Sequence, residues 1–247
     1  MVEEGYEVFD SDAAVARWAR AALRIARVIA ADPAQRAQHL RHGKTWFVGV
    51  DALPNAADGA IEGVPLTGPW ERRVDRPASW HAAQLSIVYP GYPARDPDQS
   101  EANHRFRVTR FAAHVDGLLP VGPDRRRYLR EPHAFVLGLP LNLAEVAPLM
   151  VWPGSQRIMG AAFRAVIGER EPTKVDLTEA YQAARREVFD SIAPMPVAAR
   201  PGQAILLHRH LLHGMAPWPA HTPGPAEGRM LAYFRPQFSA EAWVADT

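Results

Sequence analysis

The sequence predicts a mainly β chain with added helices, built on a jelly-roll core of two facing sheets. Short runs rich in β-branched, aliphatic and aromatic residues recur along it, as strands require. Turns drawn from 23 prolines separate these runs, and that much proline favours a sheet on long loops over a helical bundle. Helical periodicity is confined to the beginning and to one stretch between strands. With 247 residues, one domain over 1–247 is expected. It divides into a helical part of about 1–43 and a jelly-roll core of about 45–236, with a helical insertion at about 155–190.

Ser11 and Asp12 can cap a first helix to about Ala30, because Val15, Trp18, Ala22, Ile25, Ala26 and Ile29 fall on one face. Asp32-Pro33 ends it or starts a short second helix toward Leu40. Thr45–Val50 and Gln84–Tyr89 read as strands, with a Gly- and Pro-rich loop over 51–80 between them. Residues 94–103 are polar and read as loop. Phe106–Val115 and His133–Leu141 are the next strand candidates, separated by a long loop carrying Arg125, Arg126, Arg127 and Arg130. Leu149–Trp152 is a short apolar strand ended by Pro153-Gly154. Ser155 then caps a helix to Val166, and a second helix starts at Asp176, with Glu179 completing a capping box, and runs to about Asp190. Pro194 and Pro196 read as a linker, and Ala204–Leu212 and Arg229–Arg235 as the last strands.

Composition excludes several classes of function. There is no cysteine, so disulfides, thiolate zinc sites, iron–sulfur clusters and thiol nucleophiles are ruled out. The formal net charge is +1, which argues against a general nucleic-acid or membrane-surface partner. The acidic N-terminus has no apolar signal core and no run approaches a membrane span, so a cytoplasmic location is expected.

The chemistry-bearing residues lie in two segments. His114-Val115-Asp116 offers an imidazole and a carboxylate two positions apart, which share one face of a strand. With one distant histidine they are the ligand types of the facial triad that holds non-haem Fe(II). The alternative is a plain His–Asp hydrogen bond at a strand end. The segment Pro201–Gly214 carries His208, His210 and His213. In a regular strand His208 and His210 share a face and His213 takes the other, so either face can supply the third ligand. Arg229 shares a face with Leu231 and Tyr233 and can point into a barrel, where a buried guanidinium needs an anion. Its alternative is a solvated rim arginine.

Together these residues resemble the phytanoyl-CoA dioxygenase family of Fe(II)/2-oxoglutarate oxygenases, over roughly 80–236. His114-Val115-Asp116 resembles its His-x-Asp element. The run from Ala147 through Pro153-Gly154-Ser155-Gln156 resembles its Gly-Pro-Leu…Pro-Gly-Ser-His segment. Pro201-Gly202-Gln203 through His213-Gly214 resembles its turn, aliphatic strand and distal His-Gly. The chain departs from the pattern at Gln203 (usually Asp), at Gln156 (usually His) and in a longer stretch between His213 and Arg229.

The resemblance implies a double-stranded β-helix, cupin-like core, with His114, Asp116 and His213 binding Fe(2+). It implies Arg229 as the residue that takes the far carboxylate of 2-oxoglutarate, with Arg235 as the fallback. The implied activity is hydroxylation of a C–H bond in a small-molecule substrate with O2, releasing succinate and CO2. The competing readings are a cupin-like zinc or manganese hydrolase or isomerase, and a non-catalytic binding protein on the same scaffold.

Overall fold

The computed structural model describes residues 3–245. Twelve strands and six α-helices alternate among them. The first strand is β1 (Tyr6–Phe9), followed by helices α1 (Ala13–Ala31) and α2 (Pro33–His39). Then come β2 (Leu40–Arg41), β3 (Trp46–Leu53), β4 (Ala83–Val88) and α3 (Glu101–Thr109). A hairpin of β5 (Leu118–Val121) and β6 (Arg126–Leu129) precedes β7 (Phe135–Pro140) and β8 (Leu149–Val151). Helices α4 (Ser155–Ile167) and α5 (Thr178–Ser191) follow. The chain then runs through β9 (Met195–Val197), β10 (Ala204–His208), β11 (His213–Met215), β12 (Arg229–Phe234) and α6 (Ala240–Val244).

Seven strands form a major sheet in the order β1-β10-β7-β12-β4-β3-β2. Three form a minor sheet, β11-β8-β9. Every pairing in both is antiparallel, and the crossovers in strand order are those of a jelly roll.

Side-chain alternation places the core. In β12, Met230, Ala232 and Phe234 face outward onto α1, whereas Leu231 and Tyr233 face the space between the sheets. In β10, Ala204 and Leu206 join the outer layer, and Ile205 and Leu207 the inner. In β8, Leu149 and Val151 point inward, while Met150 and Trp152 point out to α4 and α5. The central strands are buried on both faces, so their sequences read as continuous apolar runs.

Helix α1 forms where its periodicity places it. Asp12 caps it, its carboxylate accepting from the N–H groups of Ala14 (2.7 Å) and Val15 (3.1 Å). Its buried stripe centres on Trp18, which donates from Nε1 to the Gly59 carbonyl (2.9 Å) and packs on Phe234.

Several local expectations are corrected. Residues 101–109 form α3, not the start of a strand, because Ser100 caps the segment by accepting from Asn103 N–H. The arginine-rich loop is largely the β5–β6 hairpin, and three of its four arginines are tied down. Arg126 pairs with Asp176 and Glu179, Arg127 donates to the Leu118 carbonyl and Arg130 to the Thr173 carbonyl. Ser155 begins α4 after a left-handed Gly154 instead of capping it, and its hydroxyl accepts from Leu212 N–H (3.0 Å). The segment around Pro196 is edge strand β9, a position that tolerates a proline. The departures Gln203 and Gln156 have structural work: Gln203 Oε1 accepts from Arg200 N–H, and Gln156 donates to the Glu3 carbonyl.

Because Trp18 is fully buried, Trp18→Ala is predicted to cost about 3–5 kcal/mol in a urea unfolding titration. A loss below about 1 kcal/mol would show that α1 does not complete the outer core.

Candidate metal centre

His213 opens β11, directly across the minor sheet from Val151. His114 forms an isolated antiparallel bridge with it. His114 N–H donates to the His213 carbonyl (2.8 Å) and His213 N–H to the His114 carbonyl (3.1 Å). This closed pair of bonds sets the two imidazoles side by side, with ring centroids 4.6 Å apart. The pair is therefore not carried by a long strand: α3 ends, Phe111 and Ala112 take left-handed backbone conformations, and the chain meets β11 for one bridge.

Two glycines make the approach possible. A Cβ on Gly214 would lie 2.3 Å from the Phe111 carbonyl oxygen, which accepts from Met215 N–H. Gly117 turns the chain after Asp116 at φ +87°, and a Cβ there would lie 2.2 Å from the Glu131 carbonyl oxygen. The glycines that follow Asp116 and His213 are thus steric requirements.

The histidines are oriented alike. Nδ1 of His114 lies 3.0 Å from the Ala112 carbonyl oxygen, and Nδ1 of His213 2.9 Å from that of Leu211. A carbonyl only accepts, so each Nδ1 carries a proton, and Nε2 is the ring nitrogen turned inward and available to a metal. His114 Nε2 lies 3.2 Å from Asp116 Oδ1, and His213 Nε2 3.6 Å from Asp116 Oδ2. The three ligand atoms lie within 4.8 Å of one another. Two nitrogen lone pairs and a carboxylate facing one point are mutually repulsive unless a cation or protons sit between them. Donor set, tautomers and spacing suit a divalent transition metal. His213 and Asp116 are largely shielded, whereas the His114 side chain is 45% exposed, so the centre opens on its side.

Burial by itself pushes the Asp116 carboxyl up. The charge of Arg235 opposes this and holds the group well below the usual carboxylate range. Arg235 was the fallback for the cosubstrate clamp, but two of its donors are taken up within the protein: Nε by Asp116 Oδ2 (2.7 Å) and Nη1 by Gln84 Oε1 (2.6 Å). Sequence reasoning gave neither Arg235 nor Gln84 this role. The available signal was that Gln84 is, with Ser86, one of two polar residues in an otherwise aliphatic strand.

Arg229 lies where the strand pattern put it. It sits opposite Val88, which in turn faces Trp46, and it is buried (6% exposed). Burial draws its guanidinium below its ordinary range, while Tyr233, four residues along the strand, opposes that by hydrogen bonding. Gly138 gives the Tyr233 ring room, since a Cβ there would touch it at 3.0 Å. Among the described residues no carboxylate pairs with Arg229. Glu145, on the wall of the same cavity of about 120 Å³, is taken by Arg200. That cavity also reaches Pro148, Val197 and Gln203, and it does not touch the three triad residues.

His208 and His210 are separate from the centre. The strand breaks after His208, whose Nδ1 accepts from His210 N–H (3.0 Å), and His210 packs edge-on against Trp243. The regular strand expected over 204–212 is thereby corrected, and His213 belongs to the other sheet.

No family model matches the chain, and no curated protein matches it. Solved structures do. SnoK, a non-heme alpha-ketoglutarate-dependent carbocyclase from nogalamycin biosynthesis, is 15% identical, over 94% of this chain and 80% of that one, with a TM-score of 0.50. AviO1 from Streptomyces viridochromogenes is 15% identical over 94% and 90%, with a TM-score of 0.49. EctD from S. alaskensis, solved with 2-oxoglutarate and 5-hydroxyectoine, is 18% identical over 94% and 71%, with a TM-score of 0.46. At these identities the likeness speaks to the jelly-roll fold alone. Among the described residues no helix is long and apolar enough to cross a membrane.

The buried histidine pair has a consequence for stability. Desolvation first, then Arg209, lowers His208 to about 3, and desolvation, then His208, holds His210 well below its usual value. An unfolded imidazole takes up its proton from about pH 6.5 downward. The stability from keeping both neutral is full above that pH and is lost as pH falls toward the folded values. Unfolding free energy is predicted to drop between pH 7 and pH 5, and the double variant His208→Asn/His210→Asn should flatten that slope. An unchanged slope in the double variant would contradict the assignment.

Proposed function

We propose that the chain is an Fe(II)- and 2-oxoglutarate-dependent oxygenase, in which His114, Asp116 and His213 hold the metal and Arg229 receives the far carboxylate of 2-oxoglutarate. The carrying observation is the convergence of His114 Nε2, His213 Nε2 and the Asp116 carboxylate within 4.8 Å, each histidine fixed through its Nδ1. The resemblance of the motifs to phytanoyl-CoA dioxygenases points the same way. So does the likeness to SnoK, an alpha-ketoglutarate-dependent carbocyclase.

When bound, iron and 2-oxoglutarate supply oxidative decarboxylation to succinate and CO2, coupled to hydroxylation of a C–H bond of a small-molecule substrate by O2. The protein's own residues do the rest. The bridge between His114 and His213 fixes the spacing of the imidazoles. The inter-sheet layer of Leu149, Val151, Leu231 and Tyr233 excludes water from the interior. A triad carboxylate favours hydroxylation over halide chemistry, because it fills the position a halide would take. Against a hydrolase or isomerase on the same barrel stands Arg229, a buried cation without a carboxylate partner among the described residues, which a dicarboxylate cosubstrate satisfies.

Two outcomes are predicted. His114→Ala and Asp116→Ala each abolish iron-dependent release of succinate from 2-oxoglutarate, followed by mass spectrometry; undiminished succinate in either variant would end the assignment. Arg229→Gln raises the KM for 2-oxoglutarate at least about tenfold, the loss expected for one charge-assisted pair. An unchanged KM would move the clamp elsewhere.

A further inference from the structure

Arg235 is a shielded cation beside the triad that the proposed chemistry leaves unused. It comes directly after β12 and is fixed from several sides. Its N–H donates to His81 Nε2 (2.8 Å), and its carbonyl lies 3.1 Å from His133 Nδ1. Its guanidinium lies 5.3 Å from the centre of the Tyr233 ring. Nη1 donates to Gln84 Oε1 and Nε to Asp116 Oδ2. The side chain is 18% exposed, and Asp116 is the only carboxylate it pairs with among the described residues. A surface arginine that drifts onto a convenient acid is not held at five points.

We infer that Arg235 is a positioning residue that keeps Asp116 a one-oxygen metal ligand, by occupying Oδ2 and leaving Oδ1 for the ion. This rests on the reading of His114, Asp116 and His213 as ligands. A carboxylate with two free oxygens can chelate one metal through both, and the second would take a position that cosubstrate or oxygen needs. With Oδ2 held at 2.7 Å by a charged donor, two-oxygen chelation has to compete with a charge-assisted hydrogen bond in a shielded site, which favours binding through Oδ1. Oδ1, 3.2 Å from His114 Nε2, remains directed at the centre. Gln84 fixes the guanidinium plane, so the carboxylate plane is set at one remove by a residue of β4.

The test is a calorimetric titration of the wild type, Arg235→Lys, Arg235→Gln and Gln84→Met with Co(II), whose visible spectrum reports ligand geometry. Circular dichroism and urea unfolding monitor the fold. Arg235→Gln is expected to weaken Co(II) binding roughly 10- to 100-fold and to shift the spectrum. Arg235→Lys should restore part of the affinity, because an ammonium can still reach Oδ2 but cannot also hold Gln84. Gln84→Met should give a smaller loss with a spectral change in the same direction. Wild-type affinity and spectrum in a folded Arg235→Gln variant would overturn the inference. If Arg235→Gln does not fold, the same result in Gln84→Met overturns it. Failure of the wild type to bind Co(II) would instead remove the triad reading itself, which separates the two claims.

Discussion

The structure depends on one pair of backbone hydrogen bonds, those that join His114 to His213. The two residues come from distant parts of the chain and from different local structures, one from a tight turn after α3 and the other from the first residue of β11. Only mutual N–H to carbonyl bonding fixes their rings at a repeatable separation. Every other feature of the centre serves that bridge. Gly214 lets the Phe111 backbone close over it, and Gly117 turns the chain so that Asp116 faces back toward it. Ser155, at the start of α4, accepts from Leu212 N–H and so holds the segment leading into His213.

Charge inside the barrel is arranged along β12. Arg229 and Arg235 end up with opposite assignments although both alternate onto the inward face. Arg235 is neutralised by Asp116, and its hydrogen bonds are complete on the sides facing β4 and the centre. Among the described residues, Arg229 has the Tyr233 hydroxyl to offset its burial and no carboxylate. A cation left in that condition is costly unless an anion visits it, which is the physical basis for placing the dicarboxylate there. Tyr233, paired across the sheet with Gln84, lies between the two arginines.

Much of this was legible in the sequence, for identifiable reasons. The jelly roll follows from short apolar runs and proline-rich turns, and the strand centres at Gln84–Val88, Phe135–Pro140 and Arg229–Phe234 are where those runs place them. His114 and Asp116 stand two positions apart and so could be read as a pair, whereas spacing left three histidines open and the family resemblance alone picked His213; the structure brings these three side chains together. What was not legible depended on long-range closure. The propensity of 106–109 gave no warning of α3, whose cap lies upstream at Ser100. The strand through His208 read as continuous, because the turn that sends His213 to the other sheet is built from buried residues with no glycine or proline before Gly214. The Arg235–Asp116 pair could not be read at all, since it joins residues 119 positions apart and neither carries a motif for the other.

The most direct measurement of the central claim is an anaerobic titration of the protein with Fe(II) and 2-oxoglutarate, followed by visible absorption. Chelation of a protein-held ferrous ion by the keto acid produces a charge-transfer band that neither component gives alone. The account predicts that this band grows to a plateau at one iron per chain and fails to form when His213 is replaced by alanine. A wild-type protein that gives no band with both components present, or a band indifferent to His213, would contradict it.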